Sequence, residues 1–260
     1  MIRDTAVSLS HPVSVLACSL SLCAGAFAMV GGAAPATEGA GRSIAMITGS
    51  RGTFCSGVAL ARDLVLTAGH CVLPGADYKL VEFDAERRPA LKDVAAIARH
   101  PDFDVGAVVR HRVTADVGLL KLSAPLALTP ALLGPAGSAV VGDRFIVVGL
   151  GLTKPGDGKS GGTVHSASLV AIGQPGTLQI RLVDPATKGE RAGLGACTGD
   201  SGAPVFRDVG GRLMVIGVVS WSTGPNAGDG CGGMTGVTPL TRYRAWIVDQ
   251  AAKMGSPIAP

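Results

Sequence analysis

The chain is poor in charge. Charged residues make up 16% of its 260 positions, and no run of Lys or Arg gathers the 23 basic side chains together. The formal balance against 19 acidic residues is +4. A nucleic-acid partner calls for a basic stripe, so its absence argues against one; a mild basic bias simply keeps a surface solvated. Scarce charge beside a 47% apolar content also excludes a disordered chain. No Cys-x-x-Cys pair occurs, which removes a common zinc frame. Internal repeats are missing, and no long helical period appears before Leu240–Lys253. Beyond the N-terminal segment, no apolar run is long enough to span a membrane.

What is present is a series of short β-rich runs separated by turn residues. Ser43–Thr48, Phe54–Leu60, Leu64–Thr67, Tyr78–Phe83, Leu91–Arg99, Val117–Leu122 and Phe145–Gly149 read as strands. So do Thr163–Ile172, Thr177–Leu182, Ala203–Arg207 and Leu213–Trp221. Many short strands with Gly and Pro turns predict an all-β fold, as barrels or a sandwich. Leu122 to Gly142 is rich in Ala, Pro and Gly and reads as a crossover between halves, and Lys154–Gly162 as an exposed loop. Leu240, Trp246, Ile247 and Ala251 fall on one face of a closing helix.

The N-terminus has the pattern of an export signal: Arg3, an uncharged run from Val13 to Leu22, then Ala26-Phe27-Ala28 as a small-x-small cleavage site. A signal peptide over 1–28 and a mature domain over 29–260 are therefore expected, in a secreted or periplasmic protein with no stable membrane association after cleavage. Of six cysteines, Cys18 and Cys23 leave with the signal. Cys55, Cys71, Cys197 and Cys231 remain, and oxidising surroundings favour disulfides, with three pairings open.

Three segments carry chemistry. Ala196-Cys197-Thr198-Gly199-Asp200-Ser201-Gly202-Ala203-Pro204 sets a serine in a turn flanked by glycines, a geometry that can aim backbone N–H groups at one point. Leu66-Thr67-Ala68-Gly69-His70-Cys71 frames a histidine, and Ala115-Asp116-Val117-Gly118-Leu119-Leu120 an aspartate leading into an apolar strand. A serine hydroxyl needs a base, histidine suits that role near neutral pH, and the base needs a carboxylate to orient it. His11, His100, His111 and His165 lie in no comparable frame.

With these frames in the order His, Asp, Ser, the chain resembles the trypsin/chymotrypsin-like serine proteases from about Met29 to about Trp246. The departures fit a minimal, bacterial-looking member: Gly202-Ala203, Gly69 before the base, and Leu150 between Gly149 and Gly151. The resemblance implies two six-stranded antiparallel β-barrels with the active site between them. The expected bounds are about 42–130 and 140–239, with a C-terminal helix at about 240–253. It implies His70 as base, Asp116 as orienting carboxylate and Ser201 as nucleophile, with Gly199 and Ser201 N–H as the oxyanion hole. It places Ser220 beside the aspartate and Ser220-Trp221-Ser222 on the substrate-binding strand. It pairs Cys55 with Cys71 and Cys197 with Cys231. It places Gly195 at the base of a specificity pocket walled by Ser222 and Gly236. It makes Met29 the mature terminus, whose α-amine pairs with Asp200.

The activity so implied is a secreted serine endopeptidase working through an acyl-enzyme. No metal or other cofactor is expected, and the pocket, lacking an acidic residue, should take apolar side chains. The expected partners are a polypeptide substrate and a protein protease inhibitor, and a monomer is expected. A catalytically silent binding protein and an esterase with the same triad are the alternatives.

Overall fold

The computed structural model describes residues 29–83 and 88–259, so the segment 1–28, expected as a signal peptide, lies outside the described residues. Along the chain run β1 (Ala34–Pro35), β2 (Ile44–Gly49), β3 (Thr53–Ala61), β4 (Leu64–Thr67), β5 (Tyr78–Phe83) and β6 (Pro89–Arg99). Next come α1 (Val105–Val109), β7 (Gly118–Leu122), β8 (Leu132–Leu133), β9 (Arg144–Gly149), β10 (His165–Ile172) and β11 (Ile180–Val183). The chain closes with β12 (Pro204–Val209), β13 (Arg212–Ser222), β14 (Met234–Pro239) and α2 (Arg244–Lys253). No described helix is long and apolar enough to cross a membrane.

Two antiparallel barrels of six strands form. The first closes in the order β2-β3-β4-β7-β6-β5. The second runs β10-β11-β14-β13-β12-β9 and is closed by β9 against β10, with β1 added at β10 and β8 at β13. Alternation explains the simpler strands: in β10, His165, Ala167, Leu169 and Ala171 are buried while Ser168 faces out. Closure removes the exposed edges that open sheets must protect.

Each barrel has its own core. Ile47, Val65, Leu80 and Leu120 fill the first, and Phe145, Val147, Leu169, Leu182, Val205 and Val237 the second. A third cluster joins them: Val58, Leu64, Leu66 and Leu119 of one barrel meet Phe206, Val215 and Val218 of the other, with Leu240 and Ile247 beside the helix. Cys55 through Leu60 in β3 are all buried, because one face lines the barrel and the other meets its neighbour. That is why the strand lacks the regular polar alternation of a strand with one face in water. At roughly 1.5–3 kcal/mol per large buried side chain, the seam holds the barrels in a fixed relation, and the candidate site lies on it.

The closing helix begins at Arg244, because Leu240–Arg242 form a tighter 3₁₀ turn. Beyond it, Ser256 Oγ donates to Asp63 Oδ1 (2.6 Å) while Lys121 Nζ donates to both, so the C-terminal segment is tied to the first barrel. β14 gives no sequence signal, since Gly-Gly-Met-Thr-Gly has neither alternation nor bulk. Pairing with β11 and β13 on either side makes it a strand.

Candidate active site

His70 lies in the 3₁₀ turn Gly69–Val72 that follows β4, and Asp116 lies just before β7, which pairs with β4. The pairing brings two residues 46 apart in sequence into contact. Asp116 is fully buried. Its Oδ1 accepts from His70 N (2.9 Å), and its Oδ2 lies 2.8 Å from His70 Nδ1. Ser220 Oγ, from β13 of the second barrel, donates to the same Oδ2 at 2.5 Å. A buried carboxylate needs such donors, and three of them fix its plane. The histidine backbone is held along with its ring, so the imidazole has one orientation.

Ser201 sits in the turn between Cys197 and Pro204. Asp200 N donates to Cys197 O (3.0 Å) and Ala203 N to Asp200 O (2.9 Å). Gly199 and Gly202 have φ of +94° and +78°, a region L side chains rarely enter. Close packing adds a second reason: a Cβ on Gly202 would strike Thr67 Oγ1 and one on Gly199 the Phe54 ring. Neither Gly199 N nor Ser201 N has an acceptor among the described residues. The cleft at this turn encloses about 470 Å³ and is lined by His70, Ser201, Gly199, Phe54, Trp221 and Ser222, among others.

Ser56 is a part of the site that sequence reading misses. It is fully buried in β3. Its hydroxyl donates to Gly199 O (2.8 Å) and accepts from Leu150 N (3.0 Å), and its N–H donates to Ser201 O (2.9 Å). It thus turns the Gly199 carbonyl inward and leaves the neighbouring N–H groups facing the cleft. Removing the hydroxyl would leave two buried groups unpaired, at about 1–3 kcal/mol each. The only sequence signal is a lone polar residue in an apolar strand.

The disulfides are Cys55–Cys71 and Cys197–Cys231. The first ties β3 to the His70 turn and the second ties the Ser201 turn to the loop before β14. Cys55, His70 and Cys71 come close enough to look like metal ligands, but both sulfurs are used in the disulfide.

Asp200 is fully buried and accepts from Gly151 N and Cys197 N, both at 2.9 Å. Burial raises its pKa from 3.8 to about 7, against the pull of those two donors. Its carboxylate fills the space beside Gly149 and Gly151, where a Cβ would collide with it. No described cation pairs with it. Met29 is fully buried against the second barrel core, Val30 bridges Gly195, and Gly31 lies against the Gly193 backbone. The Met29–Gly31 segment is therefore seated alongside the segment that leads to Cys197 and the Ser201 turn.

Around Gly195 the structure changes one expectation. Gly236, expected on a pocket wall, lies against the Trp221 indole, and a Cβ there would overlap the ring. A Cβ on Gly195 would meet the Gly232 backbone at 3.1 Å and Thr235 Oγ1 at 3.5 Å, and that Oγ1 accepts from Ala196 N (3.0 Å). Thr235 pairs with Ser222 across β13–β14. The irregular Thr223–Gly233 loop hides this register from the sequence. His111, unremarkable in the sequence, stacks on Trp221 with ring centroids 4.6 Å apart and planes 18° apart.

Comparison with known proteins agrees with this geometry. Over 216 residues the chain is 26% identical to the snake venom serine protease rhinocerase 4 of Bitis rhinoceros, covering 79% of this chain and 81% of the relative. It is 27% identical over 232 residues to coagulation factor IX of Cavia porcellus, covering 77% and 74% respectively. Neither relative is bacterial, so the bacterial-looking reading gains no support from them. The Trypsin family profile matches residues 30–247, a span that contains both barrels, His70, Asp116 and Ser201, and the chain therefore belongs to the Trypsin family.

Proposed function

We propose that this protein is an exported serine endopeptidase acting through an acyl-enzyme. The observation that carries the reading is the buried Asp116 carboxylate, fixed on His70 Nδ1 in a cleft that His70 shares with Ser201. With Nδ1–H directed at Asp116, the other ring nitrogen, Nε2, is the basic one and takes the Ser201 hydroxyl proton. Ser201 Oγ attacks the peptide carbonyl, and the free N–H groups of Gly199 and Ser201 receive the oxyanion. Such donors contribute roughly 3–4 kcal/mol each to the transition state. His70 then returns the proton to the leaving amine, and a water repeats the cycle to release the acid. The edge of β13 at Trp221–Ser222 pairs with the acyl side of the substrate backbone. Both disulfides suit an oxidising compartment.

Labelling with an organophosphonate tests the reading: one adduct should form on Ser201, and none after denaturation. An unlabelled native protein would mean a catalytically silent relative. Turnover of simple esters with no cleavage of any peptide would mean an esterase.

Gly195 offers no carboxylate, and burying an unpaired Arg or Lys would cost several kcal/mol. Thr235 Oγ1 would lie 3.5 Å from a Cβ on Gly195, and Thr235 pairs with Ser222 across β13–β14. Small apolar residues such as Ala and Val should therefore lead before the scissile bond, ahead of Leu and Met and well ahead of aromatics. Thr235→Gly should raise the Leu-to-Ala ratio of kcat/KM by about tenfold, the scale of one methylene in an apolar pocket. A peptide-library profile reads this, and a native preference for Arg or Lys would overturn it.

A further inference from the structure

Two cations bracket the reacting centre, and neither has an acidic partner among the described residues. Arg51 lies in the turn between β2 and β3, closed by Gly52 N donating to Gly49 O (3.0 Å). It lines the same cleft as His70 and Ser201, and its guanidinium lies near Gly75, just past the His70 turn. The acidic residue bonded to this turn is Asp77. Its backbone is held by Ser50 at 2.9 and 3.0 Å, and its carboxylate makes no ion pair with Arg51.

Arg181 stands on the other flank. β11, β14 and β13 place Arg181, Gly236 and Trp221 in one row across three strands. Directly paired residues share a sheet face. The Trp221 indole lies across Gly236, so Arg181 continues the surface that the ring begins. Arg181 also lines a second cavity of about 530 Å³ with Val113 and Leu178, and its one side-chain bond among the described residues is Nε donating to neutral Gln179 (3.3 Å). Arg112, next to His111 on Trp221, is exposed and makes no ion pair among the described residues. No Asp or Glu lines either cavity among the described residues.

We infer that the cleft selects acidic polypeptides, with Arg51 meeting carboxylates on the leaving-group side of the scissile bond and Arg181 meeting them on the acyl side. The inference rests on the endopeptidase reading, which assigns the two sides. The overall charge is only +4, so the selection comes from where these cations stand. Exposed pairs are weak singly, but attraction on both flanks and repulsion of the opposite sign add up.

The test uses quenched fluorogenic peptides with one central sequence and Glu, Gln or Lys on both flanks. At low salt, kcat/KM for the Glu peptide should exceed that for the Lys peptide about tenfold, chiefly through KM. The ratio should shrink toward one in about 0.5 M salt, where screening acts within a few ångströms. Arg51→Glu with Arg181→Glu should reverse the order. The salt titration needs no variant, so it stands even if that protein folds poorly. Equal cleavage of the Glu and Lys peptides at low salt, or a preference indifferent to salt, overturns this inference alone. Failure to cleave any of the peptides overturns the endopeptidase reading and this one with it.

Discussion

Ser201→Ala should abolish acyl-enzyme formation and peptide hydrolysis while leaving the thermal unfolding midpoint close to that of the parent. Among the described residues the hydroxyl makes no hydrogen bond that holds the turn; the turn is held by Ser56, Asp200 and the backbone of Gly202, whose N–H donates to Val219 O at 2.7 Å. Asp116→Asn should behave differently. Its amide presents N–H₂ where Oδ2 now receives both His70 and Ser220. It would force the imidazole into the wrong tautomer and lower kcat by about 10⁴-fold, the size the same change has in a chymotrypsin-like relative. It should also cost stability, because Asp116 is fully buried and one donor must lose its acceptor. Steady-state kinetics beside thermal melts separate the two behaviours. Wild-type turnover by purified Ser201→Ala would remove Ser201 from the mechanism.

A protein that begins at Met29 should be active, and one extended by two residues before Met29 should lose activity by about 100-fold or more, with its folded content kept. In the extended chain the Met29 nitrogen is an amide, and Asp200 has only neutral donors. Its pKa of about 7, against an ordinary aspartate value of 3.8, means that folding takes up a proton. The sign follows: between about pH 4 and pH 7 the folded state binds more protons than the unfolded one, so stability falls as pH rises through that window. Three pKa units correspond to a loss on the order of 4 kcal/mol. A free ammonium at Met29 would supply the missing charge, hold Asp200 ionised and remove the loss. Signal cleavage after Ala28 would then be the activating step. Thermal melts of both forms at pH 5 and pH 8 should diverge more at pH 8 than at pH 5, with the extended form the weaker. Equal activity and equal melting at pH 8 would sink the idea.

The local frames around His70, Asp116 and Ser201 were legible in the sequence because chemistry constrains them tightly. A base must follow a strand, a nucleophile needs glycines at positive φ, and a buried carboxylate precedes an apolar strand. The strand-rich pattern was legible because alternation and turn residues are local signals. Gly199 and Gly202 were readable for the same reason.

Contacts between barrels were not legible. Ser56 looks like any strand residue, and its part in fixing Gly199 arises only when β3 of one barrel packs under a turn of the other. Thr235 replaced Gly236 beside Gly195 because register across β13–β14 is set by pairing through an irregular loop, and a one-residue slip swaps the faces of a strand. Arg51 and Arg181 lie 130 positions apart in sequence, and His111 belongs to a third segment. Sequence by itself determined which residue types and turns this protein carries, since those follow from local backbone sterics and periodicity. Only the tertiary structure decided which of them face one cleft, because that depends on two closed barrels meeting along an apolar seam whose geometry no local pattern contains.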